Sequence, residues 1–170
     1  MDILDILKSR YSVRDYSDRQ IPSDILEKIL EAGRVAPTAK NQQPQRVFVL
    51  QSKEAIEKIR GITPSAYNAP TVLLICADMD VAWHRTRDSW CAAPIDTSIV
   101  TCHMMLEAEA LGVGSCWVCA FDAQKVIDAF DLPENYYPYS LLDLGYASDT
   151  CEPNPRHFER VPIEDTVKYI

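Results

Sequence analysis

The sequence predicts a single domain of mixed α and β structure, and three observations support this fold class. Residues 71–77 (TVLLICA) are continuously apolar, as in a strand that is buried on both faces. Residues 25–30 carry apolar side chains at helical spacing. The chain of 170 residues is 47% hydrophobic, which allows one compact core and is too short for two substantial ones. We therefore expect one domain over residues 1–170.

The predicted elements follow one another without an internal repeat. An amphipathic helix over residues 2–8 opens the chain, and a second helix begins after Pro22 with Ser23 as its cap and ends at Gly33. The tail from Cys151 contains three prolines, which predicts an extended course over a surface. The remaining predictions are a strand over 47–50, a helix over 52–59, a loop over 61–70, a strand over 71–77, a helix over 94–111, a short strand and turn over 112–121, a helix capped by Asp122 over 122–130 and a strand over 139–145.

The helix over residues 94–111 is apolar on more than one face, beyond the single stripe of a surface helix. Such a helix needs two packing partners. In a chain this short, the simplest second partner is another copy packed across a twofold axis. The sequence therefore predicts a homodimer with this helix at its interface.

Charge and cysteine content exclude several classes of partner. The net charge of −8 and a pI near 4.8 argue against binding to nucleic acid or to an anionic membrane surface. The N-terminus lacks the basic residues of a signal peptide, and no apolar run reaches membrane-spanning length. We expect a cytoplasmic protein whose six cysteines are free thiols.

Two arginines and a serine alternate directly after the first helix, in the segment RYSVR that begins at Arg10. In an extended backbone Arg10, Ser12 and Arg14 point the same way. In an acidic chain this cluster favours a bound phosphate monoester, because guanidinium groups offer paired donors. The alternative is a solvated turn whose arginines pair with Asp15 or Asp18.

Two further segments have the composition of ligand-binding loops. APTAKNQQPQ (residues 36–45) is polar but flanked by a core helix and a core strand, so its backbone and the Asn41 amide can be aimed at a flat heterocycle. It can equally be a capped turn without a role. GVGSCWVCAF (residues 112–121) permits close backbone approach to a ligand at its glycines, although it is not a dinucleotide-binding fingerprint.

Cys116 and Cys119 form a CxxC pair, which raises the alternatives of a thiol-redox site or a metal site. A redox pair should begin a helix, whereas the intervening Trp117 and Val118 indicate a strand or pocket wall. Structural zinc needs a second pair at similar spacing, which is missing. We favour buried or pocket-lining thiols and expect no metal site.

The histidines do not indicate hydrolytic chemistry. His84 and Asp88 are four residues apart, and His103 lies in the long apolar helix, but none has a visible catalytic partner. No Ser, His and Asp in the order of a catalytic triad accompany an elbow motif.

RYSVR, APTAKNQQPQ and GVGSCWVCAF occur in the same order as three motifs of the nitroreductase family of flavoproteins. Short members of that family carry an RxSxR-like turn, an APSxxNxQPW-like loop and a GLGxxWIGGF-like segment after a long helix. Asp96 near the start of the long helix and the tail RVPIED at residues 160–165 also resemble the family pattern. The chain is therefore similar to this family over nearly its whole length.

The resemblance implies an α+β sandwich, in which a mainly antiparallel sheet is surrounded by helices, and a homodimer with two FMN sites at its interface. Arg10, Ser12 and Arg14 would hold the phosphate with Arg156 or Arg160, and the amides of Cys119 and Ala120 would face flavin N5 and O4. The loop residues would come from the other subunit. The implied cofactor-binding residues are Arg10, Tyr11, Ser12, Arg14, Pro37, Thr38, Ala39, Asn41, Trp117, Val118, Cys119, Ala120, Arg156 and Arg160.

The implied activity is electron transfer from NAD(P)H through bound FMN to a nitroaromatic, quinone or enone by a ping-pong mechanism. Because the flavin carries the chemistry, no side chain is expected to be a catalytic acid or base. The alternatives are a flavin-storage protein, or a subunit of a redox assembly, with little turnover. Residues 80–91 have no clear family counterpart, and they either shape the substrate opening or form an ordinary surface loop.

Overall fold

The computed structural model describes residues 2–170 and is built on a four-stranded antiparallel sheet. Each neighbouring pair in the sheet order β1-β2-β4-β3 is antiparallel, which confirms the expected α+β class. The strands are β1 (Gln45–Leu50), β2 (Thr71–Asp78), β3 (Gly114–Val118) and β4 (Tyr136–Gly145).

Helices cover both faces of this sheet. They are α1 (Ile3–Ser9), α2 (Ser23–Arg34), α3 (Lys53–Ile62), α4 (Ala93–Ala110), α5 (Ala123–Phe130) and α6 (Ile163–Thr166). Short 3₁₀ turns lie at Ala39–Asn41, Pro64–Ala66 and Pro155–Phe158. No helix within residues 2–170 is both long enough and apolar enough to cross a membrane.

Strand β2 divides the core into two layers, which explains why its sequence is continuously apolar. All eight of its residues are buried. Leu73 and Ile75 pack with α2 and α4 on one face, whereas Val72 and Leu74 pack with α3 and α5 on the other. Burial on both faces removes the alternation of polar and apolar residues that a half-exposed strand would show.

Helix α4 is also covered unevenly, as its composition predicts. Val100, Met104 and Ala108 are buried against the sheet and α2. A second apolar stripe at helical spacing is left partly exposed, with Ile95 at 50% exposure, and it consists of Ile95, Ile99, Cys102 and Leu106. One chain therefore covers only one side of the helix, and the homodimer stays a prediction.

The helix boundaries correct two details. Helix α2 begins at Ser23 with Pro22 in the cap position and without a side-chain cap, so the assignment of Ser23 as cap was wrong. The helix also passes through Gly33 and ends at Arg34, because Gly33 is required for close packing on α4 rather than for termination. The predicted cap at Asp122 is confirmed, since its carboxylate accepts from the amide of Lys125 at 3.2 Å.

Two segments are more ordered than the sequence predicts. The loop expected from residue 61 begins only after Ile62 and includes the turn Pro64–Ala66. The tail is not simply extended, because it contains the turn Pro155–Phe158 and helix α6. Proline starts both 3₁₀ turns, where its fixed φ and missing N–H are tolerated.

Candidate functional site

A cationic pocket of about 300 Å³ gathers arginines from both ends of the chain. Its lining residues are Arg10, Tyr11, Ser12, Arg14, Asn154, Arg156, His157 and Arg160. Six of these are residues that the sequence analysis assigned to cofactor binding, and five of the six, all except Tyr11, were assigned to the phosphate. Both candidate tail arginines line the pocket, and Asn154 and His157 join them.

The backbone segment that carries Arg10 and Arg14 is held in place because it pairs with the sheet. Ser12 forms a parallel bridge with Ser115 of β3, and the Val13 amide donates to the Ser115 carbonyl at 2.9 Å. Gly114 makes this approach possible, because a Cβ there would lie 2.7 Å from Cγ2 of Val13. The extended course places Arg10, Ser12 and Arg14 along the same pocket, as the alternation predicts.

The arginines of this pocket carry charges that no direct ion pair neutralises in the described part of the chain. Within residues 2–170 none of its four arginines forms an ion pair with a carboxylate. Asp15, a proposed alternative partner, instead accepts hydrogen bonds from Asn68 Nδ2 at 3.0 Å and from Ser148 Oγ. The alternative, a turn whose arginines pair with Asp15 or Asp18, therefore does not form.

The tail side of the pocket is organised by its 3₁₀ turn. The Asn154 side chain accepts from the amide of Arg156 at 3.0 Å, and Arg160 Nη1 donates to the carbonyl of Glu159 at 2.6 Å. The rings of Tyr11 and His157 meet edge to face with centroids 6.3 Å apart, which joins the two ends of the chain. The Asn-Pro step at residue 154 was the available sequence signal for this turn.

This set of donors fits a phosphate monoester, the anionic end of FMN. Planar guanidinium groups and a hydroxyl are suited to phosphate oxygens, and nearby cations compensate the dianion. In a chain of net charge −8, unpaired cations clustered at one place indicate a bound anion.

The segment after β3 presents two backbone amides beside the same strand. Cys119 and Ala120 are exposed, and neither amide donates a hydrogen bond within residues 2–170. The hydroxyl of the buried Thr63 donates to the Ala120 carbonyl at 2.6 Å and fixes the segment. Trp117 and Val118 lie in β3, and the Trp117 indole N–H is buried without a partner.

The loop over residues 36–45 is polar and held by specific hydrogen bonds. The Ala39 amide donates to Asp96 Oδ1 at 2.9 Å, and the Gln43 amide donates to Thr38 Oγ1 at 3.0 Å. Lys40, Asn41 and Gln43 adopt φ values of 51°, 56° and 50°. Residues other than glycine rarely adopt this left-handed backbone conformation, and those that do concentrate at sites where the surrounding structure imposes it.

One chain does not bring this loop to the cationic pocket. Pro37, Thr38, Ala39 and Asn41 precede β1 at one edge of the sheet, whereas the arginine segment pairs with β3 at the other edge. Three strand spacings separate these edges, which is roughly 14 Å. None of the four loop residues lines the pocket.

The two cysteines of the CxxC pair are free thiols in different environments. Cys116 is buried in β3, where burial raises the pKa of its thiol to about 11, and Cys119 is exposed with a free thiol. The pair lies in and after a strand, so it lacks the helix start at which thiol-redox pairs are typically placed. Within the described residues no group of three His, Cys, Asp or Glu side chains could hold a metal ion.

A buried carboxyl that the sequence analysis missed lies beside Cys116. Asp143 of β4 pairs with Cys116 across the sheet, is fully buried, and neither of its carboxylate oxygens has a hydrogen-bond partner within residues 2–170. Burial raises the pKa of Asp143 to about 8. A carboxyl inside an apolar strand carries no distinguishing sequence pattern, so it could not be found in advance.

An α+β fold with a cationic pocket near the start of β3 and two free backbone amides after its end defines a class of protein that binds a cofactor with an anionic end. The sequence profile described as Nitroreductase family matches residues 7–66 and 60–146 of the chain. The chain belongs to the nitroreductase family.

Individual relatives agree with this assignment. The crystal structure of a nitroreductase family protein from Clostridium difficile 630 is 44% identical, covers 99% of this chain and 98% of its own, and superposes with a TM-score of 0.94. A Bacillus subtilis protein named FMN reductase [NAD(P)H] is 29% identical over 173 residues, which cover 91% of this chain and 70% of that protein. A structure from Exiguobacterium sibiricum in complex with FMN is 22% identical with a TM-score of 0.83, covers 100% of this chain and 98% of its own, and shows the same fold.

Proposed function

We propose that this nitroreductase-family protein, an NAD(P)H-dependent flavin oxidoreductase with FMN as its cofactor, reduces an organic acceptor such as a nitroaromatic, quinone or enone in a ping-pong cycle. The observation that carries the proposal is the four-arginine pocket, which is joined through Ser12 and Ser115 to the strand that ends in the free amides. The Bacillus subtilis relative named FMN reductase and the Exiguobacterium sibiricum complex with FMN support the choice of cofactor.

The residues of this chain divide the work of binding between two ends of the cofactor. Arg10, Arg14 and the tail arginines would hold the phosphate by charge-assisted hydrogen bonds. The amides of Cys119 and Ala120 would face the ring edge, where donors stabilise developing negative charge. Bound FMN would supply the redox chemistry, taking electrons from NAD(P)H and passing them to the acceptor.

We further propose that two copies complete each site. The loop over residues 36–45 is polar, strained and fixed by Asp96, yet it lies at the sheet edge remote from the cationic pocket of its own chain. The partly exposed stripe on α4, which starts at Ile95, offers the apolar surface for a second copy. In the dimer, Pro37, Thr38, Ala39 and Asn41 of one copy would reach the cofactor held by the other. A cytoplasmic location stays a prediction.

Stopped-flow spectroscopy tests the activity. Purified protein should be yellow, and the flavin absorbance should bleach on mixing with NADH or NADPH and recover when a quinone is added. A yellow protein that neither nucleotide bleaches at millimolar concentration would instead support flavin storage. Colourless protein that takes up no FMN contradicts the cofactor assignment, and light scattering that finds one copy per particle contradicts the shared site.

A further inference from the structure

Residues 83–91 form an ordered hairpin, which we call the tryptophan hairpin. The Ala92 amide donates to the Trp83 carbonyl at 2.9 Å, and the Arg85 amide donates to the Trp90 carbonyl at 2.8 Å. His84 and Cys91 form an antiparallel bridge between them. The segment that the sequence analysis left as either a substrate opening or a surface loop is therefore a built element with a fixed backbone.

The base of the tryptophan hairpin is anchored in the core. Ala82 and Ala93 on either side of it are buried in a small apolar cluster with Ala77 of β2, and Cys91 packs against that cluster. Ala93 is also the first residue of α4. The hairpin is thus fixed between the end of β2 and the start of α4.

The hairpin extends from the end of the sheet at which the polar loop and the segment with Cys119 and Ala120 also lie. Strand β2 ends at Asp78, and Ala77 pairs with Gln45, which is the last residue of the polar loop and the first of β1. Strand β4 starts opposite Asp78, and both β2 and β3 are antiparallel to β4. Strand β3 therefore runs toward this same end of the sheet and leads into Cys119 and Ala120. The loop contacts the hairpin directly, because Lys40 Nζ lies 5.8 Å from the centroid of the Trp83 ring.

The hairpin presents aromatic rings and a positive charge that the chain does not neutralise. Arg85 Nε pairs with Asp88 at 2.8 Å, and the Arg85 guanidinium lies 5.1 Å from the centroid of the Trp90 ring. Arg87 at the exposed tip has no carboxylate partner within residues 2–170, and neither does Lys40. Trp90 is 40% exposed. Lys40, Arg85 and Arg87 outnumber the carboxylates of Asp88 and the neighbouring Asp80 by one, in a chain of net charge −8.

We propose that the tryptophan hairpin and Lys40 form an acceptor-recognition surface that selects flat aromatic acceptors bearing a carboxylate or sulfonate. Arg87 would attract the anionic substituent, and the tryptophan rings would contact the ring of the acceptor. This inference rests on the proposed function. For a nitroaromatic acid the overall step consumes NAD(P)H and one proton, which supply two electrons and two protons, and it converts the nitro group to a nitroso group and water.

The test compares two acceptors that differ in charge. Steady-state kcat/KM is measured with 4-nitrobenzoate and with neutral 4-nitrobenzyl alcohol, using the flavin-loaded full chain and its Arg87→Gln variant. We expect the substitution to lower kcat/KM for 4-nitrobenzoate by roughly fivefold and to change that for the alcohol by less than about twofold, with the difference shrinking as salt screens the charge. Lys53→Gln, which removes an equal charge from the exposed start of α3, should change neither value.

Several outcomes overturn the inference and remain distinct from failure of the proposed function. Equal effects of Arg87→Gln on both acceptors, or no effect on either, would show that the hairpin does not select by charge. Should NAD(P)H bleach no flavin and neither acceptor react, the proposed function fails, and calorimetric titration of the loaded protein with 4-nitrobenzoate still decides the inference. Binding weakened roughly fivefold in Arg87→Gln supports it, and binding unchanged from the parent protein overturns it.

Discussion

The carboxylate of Asp96, in the first turn of α4, accepts a hydrogen bond from the backbone amide of Ala39 at 2.9 Å. Asp96 is buried, and this is the bond that ties the polar loop to the helix predicted to lie at the dimer interface. The other oxygen, Oδ2, is buried without a partner within residues 2–170. The bond therefore couples a loop proposed to touch cofactor to the element proposed to join two copies.

Replacing Asp96 should both destabilise the fold and weaken FMN binding. Asp96→Ala leaves the Ala39 amide without its charged acceptor, which costs about 2 kcal/mol in the free energy of unfolding. A loop that is no longer held must be ordered when cofactor binds, so we expect the dissociation constant for FMN to rise about tenfold. Urea unfolding and fluorescence titration with FMN measure the two effects.

Asp18→Ala is the matched control, because Asp18 is exposed and makes no hydrogen bond or ion pair within the described residues. It should change neither the free energy of unfolding nor the FMN affinity measurably. An Asp96→Ala protein that binds FMN as tightly as the parent would show that the loop does not contribute to the cofactor site.

Two glycine-to-alanine substitutions should change the free energy of unfolding in opposite directions. A Cβ added to Gly33 in α2 would lie 2.8 Å from Cγ and Sδ of the fully buried Met104, so Gly33→Ala should lower the free energy of unfolding by about 1–3 kcal/mol through overpacking. A Cβ at Gly61 in α3 meets nothing within 4 Å, and Gly61→Ala should raise it by up to about 1 kcal/mol through helix propensity. Urea unfolding of both variants decides, and equal signs would contradict this account of packing.

The contrast between these glycines shows how far the sequence could predict the structure. Helical spacing and apolar runs located α2, β2 and α4, because periodicity reports which side chains face a core. The same signals cannot distinguish Gly33 from Gly61, since close approach between helices depends on the partner side chain. Local order in the tail was missed for a similar reason, because prolines that begin 3₁₀ turns also occur in extended segments.

For the site as well, the sequence predicted local geometry but not contacts between distant segments. The alternation in RYSVR predicted a shared direction for Arg10 and Arg14, and the pocket contains both. Thr63, His157 and Asp143 were missed, because each is placed by contacts with segments far away in the sequence. A motif records local geometry, whereas these residues take their places only when the sheet and tail assemble.

Asp143 should make the stability of the protein depend on pH. Its folded pKa is raised to about 8 by burial, whereas an unfolded aspartate titrates near about 3.9. Between these values the folded state holds a proton that the unfolded state has lost, so the free energy of unfolding falls as pH rises from about 4 to about 8. Each pH unit within this window corresponds to about 1.4 kcal/mol at most.

Asp143→Asn removes this titration and is the test. Urea unfolding of the parent and variant at several values between pH 5 and pH 9 should give a variant that gains stability relative to the parent as pH rises. The other titrating groups cancel in the difference, because both proteins share them. Parallel curves for the two proteins would show that Asp143 is ionised in the folded state or that its carboxylate is solvated.

The CxxC pair should be dispensable for electron transfer. Burial raises the pKa of the Cys116 thiol to about 11, so this thiol is protonated at neutral pH and a poor nucleophile. The double variant Cys116→Ser and Cys119→Ser should therefore keep FMN and reduce a quinone at a kcat within about twofold of the parent. Turnover abolished while the flavin stays bound would instead establish a thiol-redox role.

Neutralising the two N-terminal arginines should strip the cofactor. Arg10→Gln with Arg14→Gln removes two charge-assisted contacts to phosphate, each worth about 1.5–3 kcal/mol, so we expect the dissociation constant for FMN to rise at least about a hundredfold. The control Arg34→Gln with Lys53→Gln removes the same charge from exposed helical positions and should leave binding intact. A double variant that stays fully loaded would contradict the phosphate assignment.

Mixing this variant with Asp96→Ala tests whether two chains share each site. In a mixed dimer, one site combines the intact arginines of one chain with the intact loop of the other, and the second site carries both defects. Random exchange makes half the dimers mixed, so about a quarter of all sites should bind FMN with the dissociation constant of the parent protein, which neither variant shows alone. If each chain built its site alone, every site would carry one defect, and mixing would restore no flavin absorbance.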